Sequence, residues 1–144
     1  MGPAILVGDP AEWYARLRGR GDQLLAGLVA NGVEVLAAGW VRTDTDPQQY
    51  LYIVSPWVDL GRAREGYAVL QAIDRAAHPA WRPLEVKLIS ATAPLADGLT
   101  YLTNQYADPA GEPVTYTGDQ IGWVSIVGPA LIYPTPKPAP AAGG

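Results

Sequence analysis

The stretch Val33–Asp59 constrains this chain most, because it holds two apolar segments separated by a polar turn. The first segment is VEVLAAGWVRT, the turn is DTDPQQ and the second segment is YLYIVSPWVD. Valine, isoleucine, tyrosine and tryptophan suit a pleated, half-buried surface. Asp44, Asp46 and Pro47 favour a turn, because aspartate caps its own backbone and proline fixes φ. The pattern predicts a β-hairpin to which the other elements are added.

Both faces of this hairpin are predicted to be apolar. Pairing Thr43 with Tyr50 places Trp40 opposite Ile53, and side chains alternate between the two faces along each strand. We assign Trp40, Leu51 and Ile53 to the face that helices cover, since these side chains have no tyrosine hydroxyl to satisfy. The other face then consists of Val35, Val41, Tyr50, Tyr52 and Val54.

That second face exceeds the apolar patch that a soluble monomer normally exposes. We therefore predict that it is an interface with a second copy of the chain or with another protein. The alternative is that a helix of the same chain crosses to that side, because helices on both faces of a sheet are common in domains of this size.

The remaining elements follow from periodicity and turn signals. Apolar residues at helical spacing predict helices beginning at Asp9, near Asp59 and at Pro94, and alternation predicts a strand over 84–91. A last hairpin is predicted around Gly118-Asp119, with its arms at 114–117 and 121–127, and residues 130–133 extend the second arm.

The order α-β-β-α-β-α-β-β predicts an α+β fold. We expect a two-layer sandwich with a mainly antiparallel sheet of about five strands and with helices packed mostly on one face. Residues 1–133 are interpreted as a single α+β domain. Residues 134–144, PTPKPAPAAGG, are interpreted as a flexible tail rich in proline, alanine and glycine.

Composition narrows the classes of function. A net charge of −4 and a pI near 4.8 argue against binding to a phosphate backbone, so a nucleic-acid partner is not expected. The absence of cysteine excludes thiolate metal sites and cysteine nucleophiles and fits a cytoplasmic protein. No apolar stretch reaches the roughly 18 residues of a membrane span. We expect a soluble protein without a metal or another cofactor.

Two sets of residues are candidates for chemistry. His78, the single histidine, precedes Pro79 at a helix end, where an imidazolium helps the last carbonyls. Asp59, followed by Glu85-x-Lys87 on a strand, resembles the PD-(D/E)xK nucleases. The resemblance implies that the two carboxylates hold Mg²⁺ and that the lysine orients or activates water. The alternative is that Glu85 and Lys87 form the outward face of an amphipathic strand.

The aromatic residues give the remaining signal. The chain has five tryptophans, eight tyrosines and no phenylalanine, so its aromatic rings carry polar groups that suit partly buried interfaces. We interpret the protein as a small non-enzymatic interaction or assembly subunit that uses an aromatic sheet face. The alternatives are a metal-dependent nuclease that uses Asp59, Glu85 and Lys87, and a small-ligand pocket lined by tyrosine and tryptophan.

Overall fold

Most helices and strands form where the sequence predicts them. The end of the second hairpin segment is an exception, because Pro56–Asp59 forms a short helix and not a continuation of the strand. The structure, a computed structural model, describes residues 10–46, 48–77, 84–106 and 113–135. Its helices are α1 (Pro10–Ala30), α2 (Pro56–Asp59), α3 (Ala63–Ala77) and α4 (Pro94–Tyr106). Its strands are β1 (Ala37–Val41), β2 (Tyr50–Val54), β3 (Val86–Ile89), β4 (Val114–Tyr116), β5 (Gln120–Ile121), β6 (Val124–Ser125) and β7 (Ala130–Tyr133).

Five of the described strands form one sheet in the order β3-β2-β1-β7-β4. Strand β3 runs parallel to β2, and the other neighbours are antiparallel. The predicted α+β class and mainly antiparallel sheet are therefore confirmed. The crossover from β2 to β3 passes through α2 and α3, as a parallel pair requires.

The hairpin of β1 and β2 forms with a register two residues away from the predicted one. Val41 pairs with Tyr50 and Trp40 with Leu51. Thr43 does not pair with Tyr50, because it bridges to Ile126 from another part of the chain. The turn is correspondingly longer than predicted, and a shift of two residues leaves each side chain on its predicted face.

The two faces of the sheet have separate cores. On one face, leucines of α1 and Leu70 of α3 pack against Trp40, Leu51 and Ile53. On the other face, α4 packs through Leu95, Leu99 and Leu102. Its partners on the sheet are Val41, Tyr52, Val54 and Ile132. Two of the longer helices thus share one face, and α4 crosses to the other.

The predicted last hairpin is wrong in its pairing. β4 does not pair with residues 121–127 but lies at the sheet edge beside β7. β5 and β6 pair with each other in a separate small hairpin around Gly122 and Trp123. β7 is a strand of the main sheet between β1 and β4 and does not extend β6.

This small hairpin is fixed at both sides. Ile121 is 1% exposed and belongs to the core beneath α4. A side-chain carbon at Gly98 of α4 would overlap the backbone of Ile121 and Gly122, so only glycine permits this approach. The Asp44 N–H donates to the Ser125 carbonyl, which joins the hairpin to the end of β1.

Some predictions concern residues at the margin of the described chain. Pro134 is half-buried, and the Thr135 hydroxyl donates to the Leu36 carbonyl at 3.3 Å. The rest of the predicted tail, 136–144, and His78 lie outside the described residues. Among the residues that are described, no helix combines the length and apolar character needed to cross a bilayer.

Candidate functional site

The sheet face predicted as an interface is largely covered by α4. Val41 and Val54 are fully buried and Tyr52 is 7% exposed, all within the core under that helix. Val35 was assigned to the wrong face, since it packs in the opposite core with Trp40 and the helices α1 and α3. Tyr50 is partly exposed at the rim. The alternative of a crossing helix therefore accounts for this face.

At that rim, Lys87 lies between aromatic rings and a carboxylate. Its Nζ lies 4.3 Å from the ring centre of Tyr50 and 3.3 Å from Oδ2 of Asp46. Desolvation by burial opposes protonation, but the bond to Asp46 and the nearby tyrosines raise the pKa of Lys87 overall. Burial in turn raises the pKa of Tyr52. The arrangement is a cation–π and ion-pair contact that joins the turn after β1 to β3.

Asp59, at the end of α2, binds the segment that follows β3. Its carboxylate accepts hydrogen bonds from the Ser90 hydroxyl at 2.5 Å and from the Ala91 N–H at 3.2 Å. The Ser90 bond, followed by the Ala91 bond, lowers the pKa of Asp59. The side chain thus fixes the connection between β3 and α4.

Glu85 has a different partner at the other end of β3. It accepts from Arg20 of α1 at 2.6 Å, and another Arg20 nitrogen lies 3.6 Å from Asp74 of α3. The Arg20 side chain is only 15% exposed, so it links two helices to the sheet.

The three residues of the nuclease resemblance are not brought together. Glu85 lies just before β3. Ser90, which binds Asp59, lies just after β3, so about 16 Å of strand separates Glu85 from Ser90. Two carboxylates that share Mg²⁺ each need an oxygen at about 2.1 Å from the ion. Within the described residues, no group of three or more aspartate, glutamate or histidine side chains is placed to hold a metal.

A different surface presents aromatic residues to solvent. Trp123, at the tip of the β5–β6 hairpin, is 91% exposed, and Tyr101 on the outer side of α4 is 57% exposed. Isolated exposed apolar residues are ordinary. These two belong to elements that pack against each other through Gly98 and Ile121.

Three cavities in this region share Tyr116 of the edge strand β4. One of about 350 Å³ lies between α4 and the hairpin and is lined by Tyr101 and Gly122. One of about 720 Å³ is lined by Asp119 and Gly122, and one of about 380 Å³ by Leu102 and the segment 114–118. We call this region the Tyr116 surface and define it by two sets of residues. Asp97, Tyr101, Leu102, Tyr116 and Asp119 line the cavities, and the exposed Trp123 follows Gly122, which lines two of them.

The local structure holds this surface in place. The Tyr116 hydroxyl donates to the Gln120 carbonyl at 2.7 Å, which closes the loop between β4 and β5. The Ile126 N–H donates to the Asp119 carbonyl at 2.9 Å across the hairpin. Among the residues that the structure describes, the charged side chains lining the three cavities are Asp97 and Asp119, so this part of the surface is acidic as well as aromatic.

No family model, curated protein or solved structure matches the chain significantly.

Sequence reasoning missed the Tyr116 surface, because it paired β4 with the wrong strand. One signal was present in the sequence. Trp123 follows Gly122 between two short apolar segments, a position that faces away from the core when these segments pair through a tight turn. The general observation that the aromatic rings carry polar groups applies to Tyr101, Tyr116 and Trp123 as well.

Proposed function

We propose that the protein is a non-enzymatic assembly subunit that associates with a second copy of itself through the Tyr116 surface. The single observation that carries the proposal is the exposure of Trp123 on a hairpin anchored by the buried Ile121. A tryptophan side chain held by a rigid element loses little conformational entropy when a partner covers it.

The chemistry of the surface supports this role. Tryptophan and tyrosine are the residues that most often dominate the binding energy of protein interfaces. Tyr101 and Tyr116 add rings whose hydroxyl groups tolerate both water and a partner. Asp59, Glu85 and Lys87 each bind a separate partner within the fold, and this supports a non-enzymatic role.

The test is sedimentation velocity over a concentration series with the wild type, Trp123→Ser and a control. Leu60→Ser is the control, because Leu60 is also exposed, at 67%, but lies at the end of α2 and not on the β5–β6 hairpin. Loss of a dominant tryptophan costs about 2 kcal/mol, so we expect Trp123→Ser to weaken association roughly 30-fold. Leu60→Ser should associate like the wild type.

Circular dichroism and thermal unfolding check that both variants remain folded. A wild-type chain that stays monomeric throughout the series contradicts the proposed function. Equal weakening by both substitutions argues against the Tyr116 surface as the contact.

A further inference from the structure

We propose that the Tyr116 surface binds the proline-rich segment 134–144 of a second copy, in an extended polyproline II conformation. This inference rests on the proposed function, because it names the part of the second copy that occupies the surface.

The chemistry of the segment 134–144 complements that of the Tyr116 surface. The segment PTPKPAPAAGG has four prolines, one lysine and no acidic residue. Proline-rich segments dock into grooves lined by aromatic rings, and they do so at low entropic cost because the polyproline II helix is already formed. Tyr101, Tyr116 and Trp123 supply rings, and Asp97 supplies a carboxylate for Lys137.

The spacing of the prolines suits a surface with rings on more than one side. Prolines occur at every second position from 134 to 140. Because polyproline II has three residues per turn, this spacing places prolines on all three ridges of the helix. Any orientation of the segment therefore presents proline rings to the surface.

Binding by strand addition to β4 does not fit this segment. Proline has no N–H to donate, so alternating prolines cannot form a ladder with a sheet edge. The contact must be made by side chains in the cavities beside β4, which Leu102 and Tyr116 line.

Geometry favours a second copy over the same molecule. Tyr116 pairs with Ala130 and Val114 with Ile132, so β7 runs away from Tyr116. The chain keeps this direction at least to Thr135, whose hydroxyl reaches Leu36. Five extended residues beyond Ala130 place Thr135 about 17 Å from the level of Tyr116.

A return within one molecule to the cavity that Tyr116 and Asp119 line would use up the proline-containing part of the segment. At about 3.1 Å per residue, covering 17 Å takes about six of the nine residues 136–144. The prolines and Lys137 of this segment would then lie on the way to the level of Tyr116 and not at it. A neighbouring molecule can place Pro136, Lys137 and Pro138 directly on the surface.

This contact is heterologous, since the segment of one copy meets the surface of the next. Such contacts produce rings or open chains of subunits and not only dimers. Sedimentation velocity of the full chain should therefore show species larger than a dimer as the concentration rises.

The first experiment removes the segment. A chain that ends at Thr135 keeps every described contact, so its thermal midpoint should equal that of the full chain. We expect this truncated chain to remain monomeric at concentrations where the full chain associates. Association that is unchanged by truncation overturns the inference and leaves the proposed function standing, because another part of the second copy must then occupy the surface.

The second experiment returns the segment as a separate molecule. A synthetic peptide PTPKPAPAAGG with a fluorophore at its N-terminus is titrated with the truncated chain and followed by fluorescence anisotropy. We expect saturable binding that Trp123→Ser weakens at least about tenfold and Leu60→Ser leaves unchanged. A peptide with Lys137→Glu should bind more weakly, and added salt should reduce the difference between the two peptides.

Three results distinguish a failure of this inference from a failure of the proposed function. Absence of peptide binding overturns the inference, whatever the state of the full chain. If the peptide binds but the full chain stays monomeric, the segment occupies its own molecule, which overturns both the second-copy assignment and the proposed self-association. Peptide binding that Trp123→Ser does not affect shows that the segment binds elsewhere.

Discussion

Gly19 and Gly21 lie two positions apart on α1, but a methyl group would meet different surroundings at each. At Gly19 no atom lies within 4 Å of the added carbon, whereas at Gly21 the carbon would overlap the ring and hydroxyl of Tyr133. Tyr133 cannot easily move, because it is 2% exposed and its hydroxyl donates to the Leu17 carbonyl at 2.9 Å. The Trp40 indole N–H lies 3.1 Å from the same hydroxyl.

Gly21→Ala should therefore lower the free energy of unfolding by about 1–3 kcal/mol, as overpacking a rigid core does. Gly19→Ala is the matched control, and it should raise this free energy by up to about 1 kcal/mol because alanine favours the helix. Urea denaturation followed by circular dichroism measures both. Stabilisation by both substitutions would show that Tyr133 does not occupy the space beside Gly21.

Asp59 provides a test based on pH. The Ser90 hydroxyl is the largest cause that lowers the pKa of Asp59 from its usual 3.8. A lowered pKa contributes stability above the unfolded-state pKa, and this contribution is lost as the pH falls through the folded-state pKa. We expect Ser90→Ala to raise the pKa of Asp59 towards 3.8. The loss of stability as the pH falls below about 4 should then be smaller than in the wild type.

Carbon-13 NMR of the side-chain carboxyl groups measures this pKa directly. Asp46 serves as an internal control, because its pKa is lowered chiefly by the Gln48 N–H and not by Ser90. An Asp59 pKa that is the same in the wild type and in Ser90→Ala contradicts the contact.

At the scale of elements, β2 shows how a strand with two apolar faces is accommodated. Leu51 and Ile53 face the core of α1 and α3, and Tyr52 and Val54 face α4. Alternation predicted this division correctly. Val35 is the exception, because it precedes β1 and the period of two does not extend to it.

Tyr52→Ser should lower the free energy of unfolding by about 3 kcal/mol or more, because it leaves a cavity under α4. Tyr50→Ser is the control at the partly exposed rim, where loss of the contact with Lys87 should cost about 1 kcal/mol. Denaturant unfolding compares the two. If both substitutions instead abolish association and leave stability unchanged, the sheet face is an interface after all.

At the scale of the whole molecule, the parallel pair of β2 and β3 separates the candidate catalytic residues. Glu85 lies at the start of β3 beside Arg20, and Asp59 binds the segment at its end. We expect the purified protein to leave DNA and RNA intact in the presence of Mg²⁺ or Mn²⁺. Gel assays with supercoiled DNA and a structured RNA test this. Cleavage that Asp59→Asn and Glu85→Gln both remove would restore the nuclease hypothesis.

Much of the fold was predictable from the sequence, because it depends on local physical chemistry. Helical periodicity and turn residues predicted α1, α3 and α4, and β-branched and aromatic residues predicted β1 and β2. The existence of a largely antiparallel α+β sheet follows from the order of these elements. The candidate site was not predictable in this way, because Tyr101, Tyr116 and Trp123 lie on three elements that only tertiary packing brings together.

The sequence by itself thus determined the longer helices and the central strands and which of their residues are apolar. Tertiary structure decided which residues and strands pair with each other. Thr43 pairs with Ile126 and not with Tyr50, and β4 pairs with β7 and not with its neighbour in sequence. These choices depend on competition between distant segments for the same backbone groups and the same apolar surface, and a local pattern contains no information about the competitor.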